Sequence, residues 1–273
     1  MHTIAKGLGL IGRDRELEGL HACVLAGRHV LLEGPVGVGK TELAKVAAAV
    51  LDRGLVRIDG DGRYSEARLV GSFDPPQVLE RGYAPDAFLA GPLVRAMREG
   101  AVLLVNELNR MPEGVQNVLL PSMDEGLVHV PHLGTVHAEP GFTVLATQNP
   151  SEFVATGELS EALLDRFELI RLEHQDRDEE LAIVRSRVRR SPDEALMQAA
   201  VDLVRSTRKD VRIRRGASVR AAVAIADLAV DLGIGRAAEL ALPTRIELFD
   251  ERATEVGKLV ESLGKAAGVT TAS

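Results

Sequence analysis

Gly34-Pro35-Val36-Gly37-Val38-Gly39-Lys40-Thr41 matches the pattern G-x-x-x-x-G-K-[ST]. It follows the apolar run His29-Val30-Leu31-Leu32-Glu33 and opens the helix-forming segment Thr41-Glu42-Leu43-Ala44-Lys45. Strand, glycine loop and helix in that order make a phosphate-binding site. The glycines let backbone N–H groups turn inward around the β- and γ-phosphates, and Lys40 supplies a point charge. The Thr41 hydroxyl is placed to reach Mg²⁺ at the positive end of a helix dipole. The predicted nucleotide cradle is therefore Gly34, Pro35, Val36, Gly37, Val38, Gly39, Lys40 and Thr41, with Glu42 in the first helical turn, and its ligand is a nucleoside triphosphate.

Outward from this loop, apolar runs of strand length recur at His29 to Glu33, Leu55 to Asp59, Ala101 to Asn106, Phe142 to Gln148 and Glu168 to Leu172, with helical patterns between them. Five such units predict an α/β fold with a parallel five-stranded sheet, because parallel strands need crossovers that bury both faces. The stretch Gly126 to Ala138 interrupts the alternation with two β-type runs around His132-Leu133-Gly134, which predicts a hairpin inserted ahead of the fourth sheet strand. After about Glu173, Asp176 to Arg190, Asp193 to Arg208 and Ala217 to Leu232 show helical spacing with no strand runs, so a smaller all-helical domain is expected. Ser191-Pro192-Asp193-Glu194 reads as a helix start with Ser191 as N-cap. The expected boundaries are 1–172 for the α/β domain and 173–263 for the helical one, with a disordered tail over 264–273.

Composition limits the function classes. The 273 residues are 45% hydrophobic but only 3% aromatic, so core packing rests on aliphatic side chains and Ala-rich helices. A formal net charge of -7 supplies no general attraction to nucleic acid or anionic lipid. Cys23 is the single cysteine, which excludes an intrachain disulfide and fits a reducing compartment. Met1 to Lys6 lacks an apolar core of signal-peptide type, and no apolar stretch reaches the ~20 residues a membrane span needs. The expected location is cytoplasmic.

A phosphate loop that supports hydrolysis needs a second polar element on a neighbouring strand, one group for Mg²⁺ and one carboxylate for the attacking water. Ala101-Val102-Leu103-Leu104-Val105-Asn106-Glu107 meets this need, with Asn106 where an aspartate is usual and Glu107 as the water-polarising base. Asn106 keeps an acceptor for a Mg²⁺-bound water but lacks the negative charge, a loss of about 1 to 4 kcal/mol in a partly solvated site. Asn106→Asp is therefore expected to lower the Mg²⁺ requirement.

Gly34 to Thr41, the run Leu103 to Arg110, Ala146-Thr147-Gln148-Asn149-Pro150, Leu164-Asp165-Arg166-Phe167 and Gly216 to Ala221 together resemble the AAA+ ATPases of the MoxR family, from about Ile11 to Ala221. The resemblance implies a P-loop AAA+ core followed by a helical lid, with ATP and Mg²⁺ as cofactors. It places Asn149 at sensor 1, beside the γ-phosphate and lytic water. Arg166 falls on the arginine-finger position, which acts on the nucleotide of a neighbouring subunit, so a ring, in this family a hexamer, is implied. Arg220 falls on sensor 2 and Ile11-Gly12 on the adenine-lining segment. The usual client is a protein or metalloenzyme complex under assembly or activation, often with a von Willebrand factor A domain partner. The motif set breaks down after about Gly233.

Three weaker features remain. Tyr64, Phe73, Tyr83 and Phe88 lie between the second and third runs, where they either grip a protein client or pack a core. Arg205, Arg208, Lys209, Arg212, Arg214, Arg215 and Arg220, with only Asp210 among them, form either a solvated face or a phosphate-binding patch. His129, His132 and His137 crowd the inserted hairpin without the further ligands that complete a tetrahedral zinc set. The leading expectation is a ring ATPase acting as a remodelling chaperone. Its alternatives are an ATP-binding switch with negligible hydrolysis, motivated by Asn106, and a DNA-directed motor, motivated by the arginines.

Overall fold

The runs at 102–106 and 143–148 carry apolar or small side chains on both faces, and such strands are stable only when both faces are covered. A computed structural model describes residues 7–149, 159–249 and 262. The chain divides into two compact units, Met1–Pro35 with Gly39–Glu173, and Val36–Val38 with His174–Ser273.

In the first unit the strands are β1 (His29–Glu33), β2 (Leu55–Asp59), β3 (Gly71–Phe73), β4 (Phe88–Ala90), β5 (Val102–Asn106), β6 (Leu127–Val130), β7 (Gly134–His137), β8 (Thr143–Gln148) and β9 (Phe167–Arg171). Five of them form a parallel sheet in the order β2-β5-β8-β1-β9, built from the five runs expected. Every residue of β5 and β8 is buried, whereas β2 alternates buried with exposed positions as befits an edge strand. The register pairs Glu33 with both Gln148 and Arg171, and Asp59 with Asn106. The C-terminal ends of all five strands therefore share one rim. Between β1 and β2 the helix Lys40–Val50 buries Leu43, Ala44, Val46, Ala47 and Ala48, and small Ala side chains let it lie close to the sheet.

Two antiparallel ribbons are inserted. β6 pairs with β7 ahead of β8, as expected, with Val128, Val130 and Val136 turned inward and His129 and His137 exposed. β3 pairs with β4 between β2 and β5, and here the aromatic residues separate in role. Tyr64 and Phe88 are only 4% and 7% exposed, and the Arg68 guanidinium covers the Tyr64 ring at 4.4 Å. The gripping role considered for Tyr64 is thereby corrected to core packing, because its ring is already buried. Tyr83 is 53% exposed, stacked on His132 at 3.9 Å and edge-on to Phe73 at 5.1 Å.

The second unit packs helices Arg177–Arg187, Glu194–Thr207 and Val219–Ala241 around Leu181, Val184, Val201, Val204, Ile225 and Ala226. Asp176 and Glu179 close a capping box at the first helix. At the second, the cap is Asp193 and not Ser191. Its carboxylate accepts from Leu196 N at 2.7 Å, and an acidic cap on the positive helix end outcompetes a serine two residues earlier. The third helix breaks at Gly233, where φ is 72°, one residue beyond the end expected from spacing, and then resumes to Ala241. The helices are joined by a short ribbon that the spacing does not predict, β10 (Ile213–Arg215) against β11 (Glu247–Leu248). The proposed tail, 264–273, and Pro150 lie outside the described residues.

Replacing Tyr64 by Ala should cost about 3 kcal/mol in urea unfolding, the range for emptying a buried aromatic site. Tyr83→Ala should leave the midpoint nearly unchanged.

Candidate functional site

The site begins where β1 ends. Gly34 has φ 157°, and a Cβ there would overlap the carbonyl oxygen of Leu172, whose own N–H is bonded to Glu33 O at 2.7 Å. Only glycine lets the loop leave β1 while β9 stays paired beside it. Gly39 is left-handed, with φ 97°, and offers no capping side chain to the helix Lys40–Val50. The first-turn N–H groups of that helix have no intrahelical acceptors, which is the electrostatic basis of an anion site. The Lys40 ammonium donates to the carbonyls of Gly34 at 2.5 Å and Pro35 at 2.9 Å, so it stands over the concave side of the same loop.

Thr41, in the first turn of the helix, reaches β5, which lies two strands from β1 in the sheet. Its hydroxyl donates to Asn106 Oδ1 at 3.0 Å, and Asn106 Nδ2 donates to Asp59 Oδ1 at 2.8 Å. A carboxylate can only accept, so Asp59 fixes the orientation of the Asn106 amide. The ends of β2 and β5 are clamped as well: Gly60 N donates to Asn106 O at 2.8 Å, and a Cβ at Gly60 would overlap Glu107 O. Partial burial opposes charge on Asp59, but the hydrogen bonds from Asn106 and Arg57 outweigh it and hold the carboxyl below its ordinary value.

Glu107 follows with φ 54°, a left-handed conformation that is uncommon for a side-chain-bearing residue. Its N–H donates to Thr147 Oγ1 on β8 at 3.0 Å, and its carboxylate pairs with Arg110 at 3.2 Å. Asn149, 3% exposed, immediately follows β8 at the same rim. Gln148 and Arg171 both donate to the Glu33 carboxylate, at 2.7 and 3.0 Å, tying the ends of β8, β1 and β9 together. Thr41, Asn106, Glu107 and Asn149 are thus brought to one edge of the sheet by register. The oxygen donors of Thr41 and Asn106 suit a hard cation such as Mg²⁺. Sequence reasoning missed Asp59 and Glu33, which stand at strand ends without a motif to mark them, and gave no role to Thr147 within its motif.

Arg166 stands elsewhere. It directly precedes β9, and Phe167 pairs with His29, the first residue of β1. It is therefore at the opposite end of the sheet from Gly34, separated by the length of a five-residue strand, about 17 Å at 3.3 Å per residue. Its guanidinium forks onto Asp124 at 2.7 and 2.6 Å and also donates to Ala162 O. The sequence-adjacent carboxylate Asp165 is not its hydrogen-bond partner. The Asp124 carboxyl, bonded this way, lies below its ordinary value. Behind the pair, buried His29 accepts from Val144 N at 3.0 Å, so its proton is on Nε2 and is donated to Met123 O at 3.1 Å.

Ile11 and Gly12 are half-buried just ahead of helix Asp14–Leu25, anchored by Arg13, which donates to Glu173 O at 2.5 Å. Arg220 is exposed in the first turn of helix Val219–Ala241 in the second unit. The arginines before it are not an open patch. Arg205 and Arg208 pair with buried Glu180 at 3.0 and 2.7 Å, Arg212 with Asp210 at 2.7 Å, and Arg214 and Arg215 with Glu247 at 3.3 and 3.6 Å. Three carboxylates, Glu180, Asp210 and Glu247, offset part of the local positive field that motivated a DNA reading. Among the described residues no group of three His, Cys, Asp or Glu side chains could hold a metal ion, and no helix is long and apolar enough to cross a membrane.

Residues 29–167 match the AAA domain of the dynein-related subfamily. The chain is 34% identical over 214 residues to the gas vesicle ATPase GvpN of Haloferax mediterranei, covering 72% of this chain and 61% of that protein. It thus spans about three fifths of that relative's length. An uncharacterized protein of Staphylococcus epidermidis is 30% identical over 231 residues, covering 82% of this chain and 86% of its own. In fold the chain is similar to a crystal structure from Cytophaga hutchinsonii described as an ATPase, with TM-score 0.55 and 24% identity over 97% of this chain and 93% of that one.

Two outcomes follow from the geometry. Burial first, and Arg28 after it, lower the His29 pKa, outweighing the Met123 bond and Asp124. The unfolded chain therefore takes up a proton below about pH 6.5 that folded His29 refuses. This part of the stability is present above that pH and is lost as pH falls toward the folded value. His29→Gln should flatten the decline of Tm between pH 7 and 5 relative to wild type. Asn106→Asp sets a second carboxylate against Asp59 and removes its donor. Because Asp59 is exposed to screening, nucleotide-free stability should fall by about 1 kcal/mol in urea titration.

Proposed function

Because the chain belongs to the dynein-related subfamily of AAA domains, we propose that it is a Mg²⁺-dependent ATP hydrolase that works as a ring, a hexamer in the leading form. The observation that carries the reading is the single rim holding the glycine loop, Lys40, Thr41, Asn106, Glu107 and Asn149. The residues of the cradle, Gly34 to Thr41 and Glu42, hold the phosphates through backbone N–H groups, and Ile11-Gly12 borders the base. Thr41 and, through water, Asn106 would hold Mg²⁺, which would supply positive charge against the phosphates. Glu107 orients and deprotonates the attacking water, and Asn149 holds that water against the γ-phosphate. Arg220 couples the helical lid, 173–263, to nucleotide state.

Arg166 acts on the nucleotide of the adjacent subunit. Its place at the far end of the sheet from its own cradle supports action in trans, since the side chain has no route across the strands. Hydrolysis then moves the α/β domain, 1–172, against the lid and remodels a bound client. The client is a protein or metalloenzyme complex under assembly, with a von Willebrand factor A domain protein as a partner, and the location is the cytoplasm. The name of the gas vesicle ATPase relative supports an ATPase serving an assembly and gives no support to a nucleic-acid substrate.

Asn106 favours one second reading, an ATP-binding switch that does not turn over. Arg166→Ala and Glu107→Gln should each lower phosphate release by about 10³-fold. Mixing the two variants should recover activity, because some interfaces then combine an intact Glu107 with an intact Arg166 from the neighbour. No recovery on mixing rejects the shared centre, and a wild-type rate equal to that of Glu107→Gln establishes the switch.

A further inference from the structure

An asparagine at the usual aspartate position would leave the metal side of the cradle without a carboxylate. The structure supplies one from the adjacent strand. Asp59 ends β2 as Asn106 ends β5, the two are paired in register, and the Asn106 amide spans the gap between Thr41 Oγ1 and Asp59 Oδ1. We propose that Asp59 provides the negative charge of the Mg²⁺ environment, displaced by one strand and relayed through Asn106. The inference rests on the ATPase reading above and names a residue that no motif assigns.

The chemistry of the pair explains why asparagine stands at 106. An aspartate there would face Asp59 with no proton between them, and like charges at hydrogen-bond distance disfavour ionisation of both. Asparagine donates to one neighbour and accepts from the other at the same time. Asp59 is also kept in place from outside, by Arg57 at 2.8 Å, and it lines a cavity of about 530 Å³ with Tyr64, Arg68 and Gly91, so water reaches its free oxygen. Gly60 and its bond to Asn106 O prevent the two strand ends from drifting apart. The role is that of a positioning charge, since Asp59 acts on Thr41 through one amide.

The test uses the full chain loaded with a fluorescent ADP analogue and titrated with Mg²⁺, with Mn²⁺ paramagnetic resonance as a second readout of metal binding. Asp59→Asn should raise the half-saturating Mg²⁺ concentration by about tenfold, the low end for removing a partner of a metal-binding group. Nucleotide affinity without metal should stay unchanged. The swapped variant Asp59→Asn with Asn106→Asp should return the titration toward wild type, since the amide introduced on β2 now donates to the relocated carboxylate. Asn106→Asp alone should lower the requirement. A merely structural role for Asp59 predicts instead that the swapped variant binds metal as tightly as Asn106→Asp alone. An unchanged metal titration in Asp59→Asn, or a swapped variant as weak as the single one, overturns the inference alone. If Asp59→Asn does not fold, a tenfold weaker titration in the swapped variant overturns it, and a wild-type titration supports it. Failure of the wild type to bind the analogue at all overturns both this inference and the ATPase reading.

Discussion

Parallel in-register pairing of β2, β5, β8, β1 and β9 is the constraint on which the candidate site depends. Parallel strands point their C-terminal ends the same way, so whatever residue terminates each strand is delivered to one rim. Glu33, Asp59, Asn106, Gln148 and Arg171 are such termini, and they are linked across neighbouring strands by hydrogen bonds and an ion pair. The polar network survives there because the strands beneath it are buried and apolar, which leaves the rim as the place where polar groups meet both water and each other. Sheet register, set by hydrophobic packing, thus fixes polar geometry to within hydrogen-bond distances.

The same constraint separates functions. A side chain that precedes a strand is carried to the other end of the sheet, and Arg166 is there, held by Asp124, while the glycine loop follows β1 at the first rim. The fork to Asp124 keeps the guanidinium in one direction at the surface. Behind it, the two hydrogen bonds of His29 join β8 to the backbone of Met123 next to Asp124. One buried imidazole therefore connects the sheet to the segment that holds the arginine.

Close backbone approaches complete the rim. Gly34 lies against Leu172 and Gly60 against Glu107, in each case with a carbonyl oxygen where a Cβ would stand. These glycines act differently from Gly39, whose need is conformational. One class lets strands converge; the other lets the helix begin from a left-handed residue without a side-chain cap.

Much of this was legible from residues alone. Apolar runs of strand length marked the five strands, without alternation where both faces are buried as in β5 and β8 and with it at the edge strand β2, and the glycine loop marked its own place because few residue types tolerate its backbone. The ribbon from β10 to β11 and the burial of Tyr64 were not legible, since each depends on partners distant in sequence, whereas the cap at Asp193 is a local choice between two competing acceptors, its partner Leu196 being three residues away. Glu180 and Glu247 pair with arginines that look unopposed in linear order. By itself the sequence determined the α/β architecture, the phosphate loop and the identity of Asn106 and Glu107, because local periodicity and backbone tolerance are encoded in neighbouring residues. Only the tertiary structure decided that Asp59 stands beside Asn106 and that Arg166 stands away from its own loop, because strand order and register are set by packing across the whole sheet.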